Sequence, residues 1–264
     1  MTSEHKGTAL VTGASSGIGA IYADRLAKQG YDLILVARNA GRLRNLANAI
    51  SDETGRSVEV LPADLGKSAD LKQVENLLRT DASITMLVNN AGIGAVAPLL
   101  TSDIDAMQSM IDVNVTAPMR LAYAVAPGFV ARGKGTIINI ASIVAISPET
   151  LNGVYGGSKA FVLAFSQSLH HELADKGVRV QAVLPGATAT DFWELSGRPV
   201  EHLPAEIVMS ADAMVDAALA GLRQGELVTI PSLPDIADWQ TFEAARNALR
   251  PNLSLGTPAK RYAA

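Results

Sequence analysis

The chain has 264 residues, of which 48% are hydrophobic and 5% aromatic, with a formal net charge of −4. That length suits one large α/β domain with a full core, and the aliphatic bias points to a sheet packed on helices rather than an aromatic-rich sandwich. With no Lys/Arg stripe a nucleic-acid footprint is excluded, and the absence of cysteine excludes disulfides, thiol catalysis and zinc–thiolate sites while fitting a reducing compartment.

In chain order, TALVT (8–12) is a short apolar run followed by a glycine-rich turn, and Ile18, Ile21, Tyr22 and Leu26 then recur at helical spacing until Gly30. DLILVA (32–37) is a buried strand. Leu43, Leu46, Ala47 and Ile50 mark a second helix that ends near Gly55, and SVEVLPA (57–63) is a third strand. Leu71, Val74, Leu77 and Leu78 mark the third helix, and ITMLVNN (84–90) is the fourth strand. A long helical region covers about 103–132, with Pro118 and Pro127 as candidate breaks. Then come strand GTIINIAS (135–142), helix 155–176, strand VRVQAVLP (178–185), a helix near 211–223 and strand LVTIP (227–231). Capping residues stand near 40, 68 and 103. Only 190–210 and the Pro-rich segment 231–264 read as irregular.

Strands that are apolar throughout, alternating with helices about seven times, predict a parallel sheet covered on both faces. Right-handed crossovers make it doubly wound, a Rossmann-type α/β fold in a single domain spanning 1–264. Ligands then bind beyond the carboxyl ends of the strands. Strand-like sequence from Thr8 leaves no room for a leader, and Asn89, Asn90, two glycines and Pro98 break up the long uncharged run after Ala82. The expectation is a soluble, cytoplasmic protein with no membrane partner.

After the first strand the chain reads TGASSGIG, Thr12 to Gly19. The spacing is G-x-x-x-G-x-G, not the G-x-G-x-x-G fingerprint, but the physics is shared. Gly13 permits a tight turn, Gly17 lets a pyrophosphate approach the backbone, and Gly19 lets helix and strand pack closely. The helix start at Gly17, Ile18 and Gly19 offers free N–H groups, and Ser15 and Ser16 add hydroxyls. The second strand ends on Ala37 and Arg38, where an NAD site wants a carboxylate. A guanidinium there predicts NADP(H), with NAD(H) as the alternative, and with Arg38 on the 2′-phosphate assisted by Asn39 and Arg42. Asp64, followed by Leu65, either accepts a hydrogen bond from an adenine amino group or caps a helix. Tyr155 and Lys159, four apart, lie on one face if the segment is helical, yet Gly156 and Gly157 stand between them. Glycine costs a helix about 1 kcal/mol against alanine, so either the spacing is chance in a loop or something lies close against that backbone.

TGASSGIG, NNAG (89–92), Ser142 at the end of the fifth strand, YGGSK (155–159) and PG (185–186) followed by Thr188 and Thr190 occur in order at strand ends. Together they resemble the short-chain dehydrogenase/reductase family, over about residues 7–230. The resemblance implies that Ser142, Tyr155 and Lys159 form a catalytic triad and that Asn114, in DVNV (112–115), is its fourth member. It also implies that the backbone of Asn90, Ala91 and Gly92 lines the adenosine ribose side, that Pro185, Gly186 and Thr188 embrace the nicotinamide, and that Asp64 and Leu65 flank adenine. Family members usually carry alanine-like residues at positions 156 and 157, so two glycines are a departure that should loosen that turn. Small residues there let the helix lie against neighbouring backbone and cofactor.

Hydride transfer to a carbonyl creates an alkoxide that needs a proton. A phenol with pKa near 10 is a slow partner, and a lysine ammonium one turn away favours the phenolate. Lys159 also reaches the nicotinamide ribose, Ser142 holds the substrate oxygen, and Asn114 organises a water that links Lys159 to solvent. Substrate walls are expected from Ile93–Val96, Ile143–Ala145, Glu149–Leu151, Ala187 and 190–204, with 190–210 as a lid. Glu149 is either a substrate contact or a solvated loop acid. The apolar lining favours a hydrophobic carbonyl or secondary alcohol. Histidine catalysis is not expected, since no histidine falls at a strand end. Phe161, Phe165, Leu169 and Leu173 form an apolar stripe, and the resemblance implies that this helix and the one before it form a subunit interface in a homodimer or homotetramer. A dinucleotide-binding sensor without turnover is the alternative function.

Overall fold

The structure, a computed structural model, describes residues 5–262. It divides into two compact units, Met1–Pro231 and Ser232–Ala264, where the sequence reading has a single domain. In the first unit β1 (Thr8–Thr12), α1 (Gly17–Lys28), β2 (Asp32–Ala37), α2 (Ala40–Thr54), β3 (Val58–Pro62), α3 (Ser68–Thr80) and β4 (Ile84–Asn89) follow the expected alternation. Then come α4 (Ile104–Ile111), α5 (Ala117–Ala131), β5 (Gly135–Ile140), α6 (Gly153–Leu173) and β6 (Val178–Val183). The short pair β7 (Thr188–Ala189) and β8 (Met209–Ser210) brackets α7 (Phe192–Leu195), and α8 (Ala211–Gln224) leads to β9 (Val228–Thr229).

Seven parallel strands run in the order β3-β2-β1-β4-β5-β6-β9. The connection reverses direction between β1 and β4, which opens a crevice at their carboxyl ends. Strand side chains alternate between two buried faces. Ala9, Val11, Leu33, Leu35, Met86 and Val88 pack with Tyr22 and Leu26 of α1 and with α8. Leu10, Ile34, Val36 and Leu87 pack with Leu71 and Val74 of α3 and with Leu121, Val125 and Phe129 of α5. Each Val, Leu, Ile, Met or Phe among them contributes about 1.5–3 kcal/mol on burial. Because both faces are covered, the strands read as unbroken apolar runs rather than alternating ones.

Local chemistry sets the helix ends. The Asn39 side chain accepts from Arg42 N at 3.0 Å to open α2, which Gly55 closes at φ 68°. Asp103 caps α4 through Ala106 N. No side chain caps α3; Asp70 in its first turn takes the Asp64 N–H instead. The expected breaks at Pro118 and Pro127 do not occur. Pro118 sits in the first turn of α5, and the chain passes from α4 to α5 through a π-helical segment, Asp112–Thr116. The helix expected at 155–176 starts two residues earlier and ends as a 3-10 turn over Ala174–Lys176.

The second unit contains α9 (Ile236–Ala248), where the sequence reading expects irregular chain. Asp235 caps it through Ala237 N, and Trp239 stacks on Phe242 with ring centroids 5.2 Å apart. None of its residues is buried, and flanking prolines mask the pattern. No helix among the described residues is long and apolar enough to cross a membrane.

Candidate active site

The expected site residues lie at the carboxyl end of a strand or on the helix that follows it, except Asn114, which stands between α4 and α5. Thr12 closes β1, and its hydroxyl accepts from Asn90 N and Ala91 N, both at 3.0 Å, while donating to Val88 O. The Asn90 side chain returns the tie, donating to the carbonyls of Thr12 and Gly13. These bonds stitch the glycine turn to the chain after β4 across the point where strand order reverses. Thr12 is a positioning residue the sequence reading passes over; a hydroxyl at the end of the first strand, just before the turn, is its only signal.

Gly13 has φ 65°, a left-handed conformation that favours glycine, and a side chain at Gly19 would collide with the Gly13 carbonyl. Ser16 flanks α1 without a side-chain cap, and no acidic residue occupies the first turn. The N–H groups of Gly17, Ile18 and Gly19 therefore face the crevice as unpaired donors at the positive end of a helix dipole, chemistry that suits a phosphate. Ser15 stands in the turn beside them. Arg38, exposed at the end of β2, makes no ion pair with any described residue. Arg42 is held by Asp191 at 3.2 Å, and the Asn39 side chain is committed to its cap. Asp64 Oδ1 accepts from Gly66 N, forming a turn rather than a helix cap, and the Leu65 side chain is in the core, leaving only its backbone for a ligand. Pro185 and Gly186 follow β6, and the Thr188 hydroxyl donates back to the Gly186 carbonyl at 3.2 Å.

Four buried polar residues gather here: Asn114 and Lys159 lie against Gly92, Lys159 lies over the Tyr155 ring, and Ser142 hydrogen-bonds Tyr155. Asn114 sits in the π-helical segment, a deviation that recurs at functional sites. Its side chain accepts from Ile93 N at 2.9 Å and donates to Ile93 O at 2.8 Å and Ser158 Oγ at 3.1 Å. Both of its N–H donors are thus spent on the loop after β4 and on α6, leaving only oxygen lone-pair capacity toward a water. The Ser142 hydroxyl donates to Pro185 O at 3.4 Å. Tyr155 lies in the first turn of α6, fixed by Asn152, whose side chain accepts from Val154 N and Tyr155 N. Asn152 also donates to Ala97 O at 2.7 Å and to Ser102 Oγ at 3.1 Å, locking the helix start to the loop after β4. Beneath the site, Asn89 donates to Asn139 and Asn139 to Ser166, each at 2.9 Å, so β4, β5 and α6 share one buried polar chain.

Lys159 Nζ is 5.8 Å from the Tyr155 ring centroid and donates to Ile140 O at 2.9 Å. Burial lowers its pKa from 10.5 to about 8. Burial also pushes the Tyr155 phenol up to about 12, against a hydrogen bond with Ser142 that pulls the other way. In the free chain desolvation therefore outweighs the stabilisation of phenolate that the sequence reading expects from the neighbouring ammonium. The two glycines also separate. Gly156 lies against the Pro148 backbone, where a Cβ would meet Pro148 O at 3.3 Å, whereas Gly157 has nothing within 4 Å. Close approach explains the first and not the second.

The family model described as short chain dehydrogenase matches residues 7–199. Among solved structures, a short-chain dehydrogenase from Sphingobium yanoikuyae in complex with NADPH is 48% identical, with a TM-score of 0.94 over 97% of this chain and 99% of that one. A bulky-bulky ketone specific alcohol dehydrogenase from Comamonas testosteroni is 43% identical, with a TM-score of 0.91 over 99% of this chain and 100% of that one. The very-long-chain 3-oxoacyl-CoA reductase of Anas platyrhynchos is 36% identical over 192 residues, 71% of this chain and 62% of that longer protein.

Proposed function

The chain belongs to the short-chain dehydrogenase/reductase family of oxidoreductases, and on that premise we propose that it reduces an apolar ketone, or oxidises the matching secondary alcohol, with NADP(H). The observation that carries this reading is the burial of Tyr155, Lys159 and Ser142 side by side at the strand ends, with Lys159 over the phenol. A sensor without turnover has no use for the Tyr155 phenol beside that lysine and serine.

The dinucleotide supplies or accepts the hydride when bound. The unpaired N–H groups at Gly17, Ile18 and Gly19 hold its phosphates, Arg38 takes the 2′-phosphate, Asp64 and Leu65 flank the adenine, and Asn90, Ala91 and Gly92 line the ribose. Pro185, Gly186 and Thr188 hold the nicotinamide end. NADPH in the Sphingobium relative supports this choice. Ser142 Oγ hydrogen-bonds the substrate oxygen, and Tyr155 donates its proton as that oxygen gains charge. A phenol kept neutral by burial is in the right protonation state for that donation. Lys159, with a pKa of about 8, exchanges protons near neutral pH and refills the phenol. Residues 190–210 form the lid, tied at the base by the β7–β8 pair. Tyr155 shares a hydrophobic cluster with Met107, Met110 and Val144, on which Ile93, Ala95, Leu151 and Val154 pack, and this apolar surrounding supports an apolar substrate. Tyr123 on α5 stacks on Phe165 of α6, which in turn stacks on Phe161, and the exposed Tyr123 supports pairing of subunits across these helices in a homodimer or homotetramer.

Tyr155→Phe tests the reading. NADPH affinity stays within about twofold while turnover on a ketone panel falls at least about a hundredfold, the low end of what a positioned acid supplies. Unchanged turnover would refute the assignment.

A further inference from the structure

Phe192 opens α7, and its ring leans on the phenol, with centroids 5.7 Å apart and planes tilted by 44°. The edge of the ring, at Cζ and Cε2, rests on Gly94. A Cβ at Gly94 would collide with Cζ and Cε2 of Phe192 and lie 2.8 Å from Ser196 Oγ. Gly94 is not among the glycines with positive φ, so its backbone has no need of glycine. The aromatic ring does: the missing side chain is the seat into which Phe192 fits. Behind Phe192 stands Trp193, edge-on at 5.7 Å and 90°, buried and anchored by its indole N–H on Thr188 O at 3.1 Å. The ring is thus held between Gly94 and a fixed indole, and it packs on the cluster of Met107, Met110, Val144 and Tyr155 to which Ile93, Ala95 and Leu151 also belong as partly buried members.

We propose that Phe192 sets the size limit of the substrate, an inference that rests on the ketone-reductase reading above. A carbonyl oxygen brought to Tyr155 and Ser142 carries two substituents, and the Phe192 ring stands where one of them must go. A ketone with one bulky and one small substituent fits beside the seated ring. A ketone with two bulky substituents must lift the ring off Gly94. The hole left by deleting the phenyl ring has the shape of a phenyl substituent.

The test pairs acetophenone with benzophenone on wild type, Phe192→Leu and Phe192→Ala. The kcat/KM ratio of benzophenone to acetophenone rises at least about tenfold in Phe192→Ala, with Phe192→Leu between, in the range that hydrophobic pocket size commands. A ratio unchanged within twofold overturns the proposal. Binding without turnover supplies a second readout. The chain has two tryptophans, Trp193 and Trp239; in a Trp239→Phe background only Trp193 reports. Benzophenone then perturbs Trp193 emission at about tenfold lower concentration in Phe192→Ala than with Phe192 present, and equal affinities overturn the proposal. If wild type reduces neither ketone, the ketone-reductase reading fails, while the binding comparison still decides whether Phe192 limits the cavity.

Discussion

Lys159 is buried, and its pKa falls from 10.5 to about 8 because burial penalises the ammonium. Moving the group from 10.5 to about 8 corresponds to about 3 kcal/mol. Below pH 8 both folded and unfolded chains hold the proton, and the folded state bears the whole penalty. Between pH 8 and 10.5 the unfolded chain still binds a proton that the folded chain has released, so stability rises with pH and levels off above 10.5. Tyr155 has the opposite sign: raised from 10.0 to about 12, its contribution is complete below pH 10 and is lost as pH climbs from 10 toward 12. The window from pH 7 to 9.5 therefore isolates the lysine, and roughly 2 of the ~3 kcal/mol are recovered across it. Urea unfolding of wild type and Lys159→Met at pH 7, 8.5 and 9.5 measures the effect, and with no cysteine in the chain alkaline incubation brings no thiol oxidation. Losing the bond to Ile140 O shifts the variant by a constant and leaves its pH slope untouched. The gain of about 2 kcal/mol appears in wild type and is absent from Lys159→Met. Parallel slopes would refute the reasoning, because they would mean that water reaches the amine and its pKa is ordinary. Such a lysine could not exchange protons near neutral pH as the proposed relay requires.

Removing the free guanidinium in Arg38→Ala weakens NADPH by about 10- to 100-fold, the worth of a charge-assisted hydrogen bond, with little change for NADH; equal losses by fluorescence titration would show that Arg38 does not read the 2′-phosphate. Asp191 occupies Arg42 at 3.2 Å with both side chains more than half exposed, so Asp191→Asn frees a cation beside Arg38 and tightens NADPH by about two- to fivefold, the scale of a surface ion pair, with NADH unaffected. Tightening of both cofactors alike would assign the effect elsewhere. Gly157→Ala, with open space around the new methyl, stabilises α6 by about 1 kcal/mol and raises Tm by about 2–4 °C; a lower Tm would show that the glycine serves a contact at this position after all.

The doubly wound sheet and the positions of the candidate reacting groups are legible in the sequence because both are local. Ala9, Leu10 and Val11 are apolar in a row because alternate side chains enter two different cores. Candidate groups stand at strand ends or on the following helix because the crevice forms there, so TGASSGIG and YGGSK announce themselves by position. Tertiary structure decides what depends on partners far apart in the chain. Asn152 fixes Tyr155 by holding Ala97, Asn90 braces the glycine turn through Thr12, and Phe192 finds its seat on Gly94. No spacing rule encodes contacts across 50 to 100 residues. The reversal of expectation at Lys159 has the same root. Sequence supplies an amine one turn from a phenol, but only packing determines how completely water is excluded, and here desolvation outweighs the attraction between the two groups. The π-helical turn carrying Asn114 and the cap-driven helix α9 escape notice because proline content argues for breaks, whereas backbone hydrogen bonds shifted by one residue let the chain continue as helix through Pro118.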